Sequence, residues 1–247
     1  MSRTHDSQEL KMDDSVNGKA VAITGGFGSL GMASAQYLAA RGARVALIGR
    51  GAAPGDDAWP AALAQAVRIG GIDLVDAGAA NRALETASQA LGGLDALVNI
   101  AGAFRWETIA DGDARTWDLM FDLNVKTALN ASKAALPHLL ARAAGRIVNI
   151  GAGAGRKAGL GTGAYAASKA GVARLTEALA EELKDRRVTV NAILPSIIDT
   201  PQNRADMPDA DFTRWVQPDE IAAVIAFLIS TGASAVTGAE IAVNGRV

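Results

Sequence analysis

The stretch AVAITGGFGSLGMASAQYLAARGARVALIGR, residues 20 to 50, reads as strand, turn, helix and second strand in succession. AVAIT (20 to 24) is a short apolar run, and RVALIG (44 to 49) is another; between them, apolar residues recur at helical spacing from 29 to 41. Such a run of four to eight residues bounded by turn signals fits a covered strand, whereas recurrence every three or four residues fits a helix. The junction TGGFGSLG, Thr24 to Gly31, directly follows the first run. Glycines there permit a tight turn and let backbone N–H groups approach a pyrophosphate at the positive end of the helix dipole. The plainer alternative is a strand-to-helix turn with no ligand.

The same alternation continues outward. IDL (72 to 74), LDALVNI (94 to 100), GRIVNIG (145 to 151), VTVNAILP (188 to 195) and AEIAV (239 to 243) bring the expected strands to seven, and helical periodicity marks 79 to 91, 117 to 142, 164 to 184 and 218 to 230. The runs are too apolar to alternate cleanly, as befits parallel strands covered on both faces. Most spacers are long enough for crossover helices, which points to an α/β fold with a doubly wound, seven-stranded parallel sheet of Rossmann type. A single domain over 18 to 247 is expected, preceded by a flexible, charged extension over 1 to 17 that lacks periodicity.

Composition narrows the function classes. The 24 basic and 26 acidic residues are mixed along the chain, for a net charge of -2, so no basic stripe invites nucleic acid. There are no cysteines and only two histidines, His5 and His138, far apart, which disfavours a metal centre. The longest fully apolar run, IAAVIAFLI (221 to 229), is about half of the ~20 residues a membrane span needs. The N-terminus has no apolar signal core, so a cytoplasmic protein without membrane contact is expected.

At the end of the second strand a carboxylate would accept from a ribose 2′-OH, whereas a basic residue would attract a 2′-phosphate. The chain reads LIGRG, with Gly49 in the acid's place and Arg50 beside it, so NADP(H) is favoured over NAD(H), with a solvated loop arginine as the alternative. Asp73 is read either as an acceptor for an adenine amino group or as a turn carboxylate.

Together these motifs resemble the short-chain dehydrogenase/reductase superfamily over 18 to 247. The resemblance is carried by TGGFGSLG, LVNIAG (97 to 102), LNV (123 to 125), YAASK (165 to 169) and ILPSIIDT (193 to 200). It implies that Gly25, Ser29, Leu30 and Gly31 line the pyrophosphate and ribose, and that Asn99, Ala101 and Gly102 lie along the cofactor. It also implies that Thr200 and the backbone near Ile198 hold the carboxamide, that Lys169 bonds the nicotinamide ribose, and that Asn124 belongs to a proton relay. A homodimer or homotetramer built on helices 117 to 142 and 164 to 184 is implied too. Ser29 stands where the family usually has glycine, and Ile100 where it has a second asparagine.

Tyr165 and Lys169 also carry an argument of their own. Positions i and i+4 share a helix face, so an ammonium at 169 would favour phenolate at 165 against an ordinary pKa of about 10. A tyrosine so tuned can protonate an anion that forms as hydride arrives. The family's serine, thirteen residues before the tyrosine, is replaced by Ala152, and one oriented donor is commonly worth about 2.7 to 4 kcal/mol. Thr162, or a water held through Asn124, is the candidate substitute.

A narrower resemblance, of IGAGAGRKAGLGTGAYAASK with ILPSIIDTPQNRADMPDADFTRW, is to quinonoid dihydropteridine reductases, which also have alanine at that position; Gly49 and Arg50 depart from their preference for NADH. Phe104, Trp106, Met207, Phe212 and Trp215 are candidates for an aromatic mouth around a flat substrate, or for a hydrophobic lid. Arg156 and Lys157 either meet an anionic substrate or face solvent. The expected function is NAD(P)H-dependent reduction of a small carbonyl or conjugated cyclic substrate, with Tyr165 as acid. The alternatives are a quinonoid dihydropteridine reductase and a non-catalytic sensor of the nicotinamide pool.

Overall fold

Seven strands pair as one parallel sheet with helices on both faces. The computed structural model describes residues 15 to 247. Its strands are β1 (Ala20–Thr24), β2 (Arg44–Ile48), β3 (Val67–Ile69), β4 (Ala96–Asn99), β5 (Gly145–Ile150), β6 (Val188–Pro195) and β7 (Glu240–Val243). They lie in the order β3-β2-β1-β4-β5-β6-β7, with every neighbouring pair parallel. The helices are α1 (Ser29–Ala39), α2 (Ala77–Leu91), α3 (Ala114–Phe121), α4 (Thr127–Leu140), α5 (Gly163–Leu183), α6 (Pro201–Asp206) and α7 (Pro218–Ile229).

Alternation along each strand divides two cores. Val21 and Ile23 of β1 pack with Leu38 of α1 and Ile225 of α7, while Ala20 and Ala22 face Leu84 of α2 and Leu139 of α4 on the other side. A fully buried side chain such as Ile23 or Leu84 contributes about 1.5 to 3 kcal/mol relative to exposure. Strand order reverses between β1 and β4, whose last residues, Thr24 and Asn99, stand side by side. In such sheets the crevice beyond the carboxyl ends of those strands is where ligands bind.

Several expectations change. The third strand is Val67–Ile69, in register with Ala46 to Ile48, and not IDL at 72 to 74. VRI is a half-buried edge of three residues with an arginine at its centre, too short and mixed to stand out as an apolar run. After Gly70 and Gly71 the chain turns back, and the Ile72 N–H donates to the Gly49 carbonyl at 3.0 Å, which brings Ile72 over the end of β2. The helix expected over 117 to 142 starts earlier, where Asp113 caps α3, and it is interrupted by a π-helical turn at Asp122–Lys126. Helix α6 was not expected; Thr200 caps it and Pro201 fills its first position, where a missing N–H costs nothing.

The extension expected over 1 to 17, with His5, lies outside the described residues except for Ser15, Val16 and Asn17. Val16 is buried in the core beside α1, so packing begins before Gly18. His138 lies on α4 with its Nε2 3.4 Å from Glu85. No described helix is long and apolar enough to cross a membrane, and no group of three or more metal-ligating side chains is gathered among the described residues.

Candidate active site

The glycine turn is shaped by close backbone approach. Gly25 has φ +66°, and a Cβ there would lie 2.7 Å from the Ala101 nitrogen; a Cβ at Gly31 would overlap the Gly25 carbonyl. Glycine is what lets the turn pass under residues 100 to 102 and lets α1 abut it. Gly28 precedes α1, and no side chain caps that helix. The N–H groups of Ser29, Leu30 and Gly31 are thereby left at the positive end of the helix dipole.

A cleft of about 570 Å³ opens here, lined by Gly25, Ser29, Leu30 and Gly31 on one side and by Ala101, Gly102 and Thr200 on the other. Arg50 and Asp73 line its outer end. The Asp73 carboxylate also accepts from the Val75 N–H at 3.0 Å, so its turn role is filled while it faces the cleft. These residues fit a dinucleotide: an uncapped helix N-terminus for the pyrophosphate, a carboxylate and a guanidinium at the outer end, and room made by glycine.

Asn99 is placed differently from the expectation. It does not line the cleft but sits in the sheet, where its side-chain amide donates to Asn149 at 2.9 Å and to Ser132 at 3.0 Å. Asn149 donates onward to Thr176 at 2.9 Å. The Thr24 hydroxyl, in contact with Asn99, accepts from the Ile100 and Ala101 N–H groups at 3.2 and 3.3 Å. Asn99 therefore sets the height of the 100 to 102 backbone through Thr24. Being buried, the chain of amides must be fully paired, since an orphaned member costs about 1 to 3 kcal/mol.

A second, inner pocket of about 250 Å³ shares Leu30, Ile100, Gly102 and Ala103 with the cleft. Its walls bring together Tyr165, Lys169, Ala152 and Ile198 with Phe104 and Ser196. Lys169 is buried, and its Nζ donates to the Ile150 carbonyl at 2.8 Å. Burial pulls the ammonium down to about 8 and pushes the Tyr165 phenol up to about 12. The lowering of Tyr165 expected from helix spacing is thus reversed: desolvating the phenolate outweighs an ammonium 5.8 Å from the ring centroid.

Asn124 occupies the π-helical turn, a local irregularity frequent at functional sites. Its side-chain oxygen accepts from the Ala103 N–H at 2.9 Å, while its amide donates to the Ala103 carbonyl at 3.0 Å and to Ser168 at 2.9 Å. The side chain is committed to positioning the 101 to 103 backbone. Thr162 does not replace the missing hydroxyl, because its oxygen accepts from the Gly159 N–H at 2.9 Å and donates to the Gly159 carbonyl at 3.0 Å, outside the inner pocket.

Thr200 lies where β6 runs into α6, and Asp199 fixes this segment. The Asp199 carboxylate accepts from the Arg204 guanidinium at 2.6 and 2.7 Å and from the Gln217 side chain at 3.0 Å. These bonds, Arg204 first, hold its pKa at about 2.

Of the aromatic candidates, Phe104 lines the inner pocket and meets Tyr165 edge-on, with ring centroids 4.9 Å apart. Trp106 donates to the Leu160 carbonyl at 3.1 Å on the rim. Phe212 packs on Trp215, which is buried, and neither they nor Met207 line the cleft or inner pocket. Arg156 is paired with Glu240 of β7 at 3.1 Å and is turned to the sheet edge. Phe27 and Ser196 were not singled out from sequence; Phe27 stood in plain view inside the glycine turn.

Comparison with known proteins agrees with this geometry. The short chain dehydrogenase family model matches residues 19–211. A 2-(S)-hydroxypropyl-CoM dehydrogenase of Xanthobacter autotrophicus is 33% identical, over 95% of this chain and 98% of its own. A short-chain dehydrogenase of Burkholderia cenocepacia solved with NADP is 33% identical with a TM-score of 0.83, over 93% of this chain and 98% of that one. Carveol dehydrogenase of Mycobacterium avium, solved with NAD, is 29% identical with a TM-score of 0.80, over 93% and 97%. With its seven-stranded sheet, glycine turn and inner Tyr165–Lys169 pocket, the chain belongs to the short-chain dehydrogenase family and is an NAD(P)-dependent oxidoreductase.

Proposed function

We propose that the protein reduces a small, flat carbonyl or conjugated cyclic acceptor with NADPH, and that Tyr165 supplies the proton. The observation that carries this reading is that Tyr165, Lys169 and Ala152 line one pocket sharing a wall with the dinucleotide cleft. Gly25, Ser29, Leu30, Gly31, Ala101 and Gly102 would hold the cofactor body, Arg50 and Asp73 the adenosine end, and Lys169, Ile198 and Thr200 the nicotinamide end. The bound nicotinamide would supply the hydride.

The chain's own groups supply the remainder. With its pKa at about 12, the Tyr165 phenol stays protonated at neutral pH, so it is ready to donate to an oxyanion more basic than itself. Ala152 has no hydroxyl, so the second donor that the family places beside the tyrosine is missing from this chain. An acceptor already polarised by conjugation requires less help than a simple ketone. Phe104, edge-on to Tyr165, and Ile100, Ile150 and Ile198 make an apolar wall against which a flat ring fits. The same vacancy at Ala152 favours, as a second reading, a quinonoid dihydropteridine reductase. Exposed Trp117 and Phe121 on α3 suit self-association through that helix, as a dimer or tetramer.

The test is equilibrium titration of NADPH and NADH, followed by turnover of quinonoid dihydropterin and quinones beside simple ketones and 3-oxoacyl thioesters. Tighter NADPH binding and faster turnover of the conjugated acceptors are expected. Failure to bind either cofactor, or faster turnover of simple ketones, contradicts the reading.

A further inference from the structure

Gly49 follows β2 without needing to be glycine for backbone reasons, since it is not among the residues with left-handed φ. Space is what excludes a side chain. A Cβ at Gly49 would fall within 3.0 Å of three carbons of the Phe27 ring. Phe27 is backed in turn by Trp59, edge-on with ring centroids 6.4 Å apart. Trp59 is itself fixed: its indole N–H donates to the Leu63 carbonyl at 2.7 Å, and the Arg68 guanidinium lies over its ring at 4.9 Å. Arg68 is tied to the Pro54 carbonyl at 3.0 Å and to Asp56 at 2.6 Å. The ring over Gly49 is thus the end of a braced stack.

Phe27, Gly49 and Arg50 all line the outer end of the cleft. A carboxylate reaching from the end of β2 is what would accept from a free ribose 2′-OH and repel a 2′-phosphate. We infer that Phe27 is a specificity-determining residue: braced by Trp59, its ring fills the volume that a side chain at position 49 would need. The loop that follows β2 is left with Arg50 in place of a carboxylate. Preference for the phosphorylated cofactor then resides in the Phe27–Gly49 pair as well as in Arg50. This inference rests on reading the cleft as a nicotinamide-cofactor site.

The test compares wild type, Gly49→Asp, Phe27→Ala and the double variant by NADPH and NADH dissociation constants, with melting temperatures alongside. Gly49→Asp alone is expected to weaken both cofactors by about tenfold or more, a 1.4 kcal/mol change or greater. Adding Phe27→Ala is expected to recover NADH binding by about tenfold or more and to make NADH the preferred cofactor. If Gly49→Asp does not fold, Gly49→Ala reads the same steric coupling. It should lower the melting temperature, and Phe27→Ala in the same chain should restore much of the loss. Additive effects of the two substitutions, or NADH preference from Gly49→Asp alone, overturn the inference while wild-type binding still supports the functional reading. A wild type that binds neither cofactor overturns that reading, and the inference with it.

Discussion

Lys169 stands 5.8 Å from the centroid of the Tyr165 ring while its ammonium donates to the Ile150 carbonyl at 2.8 Å. Both side chains line the inner pocket, and burial shifts each toward its neutral form. The helix positions the pair, but burial sets their proton affinities.

That pair gives the free protein a distinctive pH dependence. Lys169 is lowered from 10.5 to about 8, so between those values the unfolded chain binds more protons and stability rises with pH. Its contribution is complete above 10.5 and is lost as pH falls through about 8. Tyr165, raised from 10.0 to about 12, acts oppositely, with stability present below 10 and lost as pH rises through about 12. At about 1.4 kcal/mol per pKa unit each contribution is on the order of 3 kcal/mol. Chemical denaturation of wild type and Lys169→Met from pH 7 to 10 checks this: the rise should be present in wild type and much reduced in the variant.

Ala152→Ser should restore a second donor beside Tyr165. An oriented hydroxyl in a dry site is worth about 2.7 to 4 kcal/mol in favourable geometry, so turnover of a simple cyclic ketone should rise by about tenfold or more. NADPH affinity should change little, because the added hydroxyl would donate to the oxygen of the acceptor beside Tyr165. Steady-state kinetics with a paired binding titration separates the two effects. No gain with the ketone would show that the vacant position is not where a carbonyl oxygen sits.

Asp199→Asn should loosen the nicotinamide end alone. The carboxylate, 8% exposed, joins α6 through Arg204 to the α7 cap at Gln217, and Thr200 follows it directly. The variant is expected to weaken NADPH binding by about threefold to tenfold, equivalent to about 1 kcal/mol. A 2′,5′-ADP fragment lacking nicotinamide should bind as to wild type. With its pKa at about 2, the wild-type clamp should hold across pH 4 to 8. Equal weakening of fragment and whole cofactor would indicate general destabilisation.

Much of this was legible in the sequence wherever local chemistry decides the outcome. Gly25 and Gly31 pointed to a close backbone approach, and the apolar runs at 20 to 24 and 145 to 151 fitted covered strands. The misreadings came where tertiary context prevails. Val67–Ile69 is an edge strand with arginine at its centre, so its pairing with β2, more than its composition, makes it a strand. Asn99 carries a family motif, but its side chain is used within the sheet, and only the fold shows Asn149 and Ser132 waiting for it. The Tyr165 and Lys169 pKa directions depend on burial, which an i,i+4 spacing does not convey. Phe27 needed Gly49 and Trp59 beside it before its ring meant anything.

The proposed role of Tyr165 as proton donor of a cofactor-dependent reduction is tested most directly by Tyr165→Phe, measured for NADPH affinity by fluorescence titration and for single-turnover reduction of the best conjugated acceptor. Removing a general acid typically costs about 10²- to 10⁴-fold. A fall of that size in the reduction rate with NADPH affinity unchanged is expected, whereas reduction at the wild-type rate would contradict the role proposed for Tyr165.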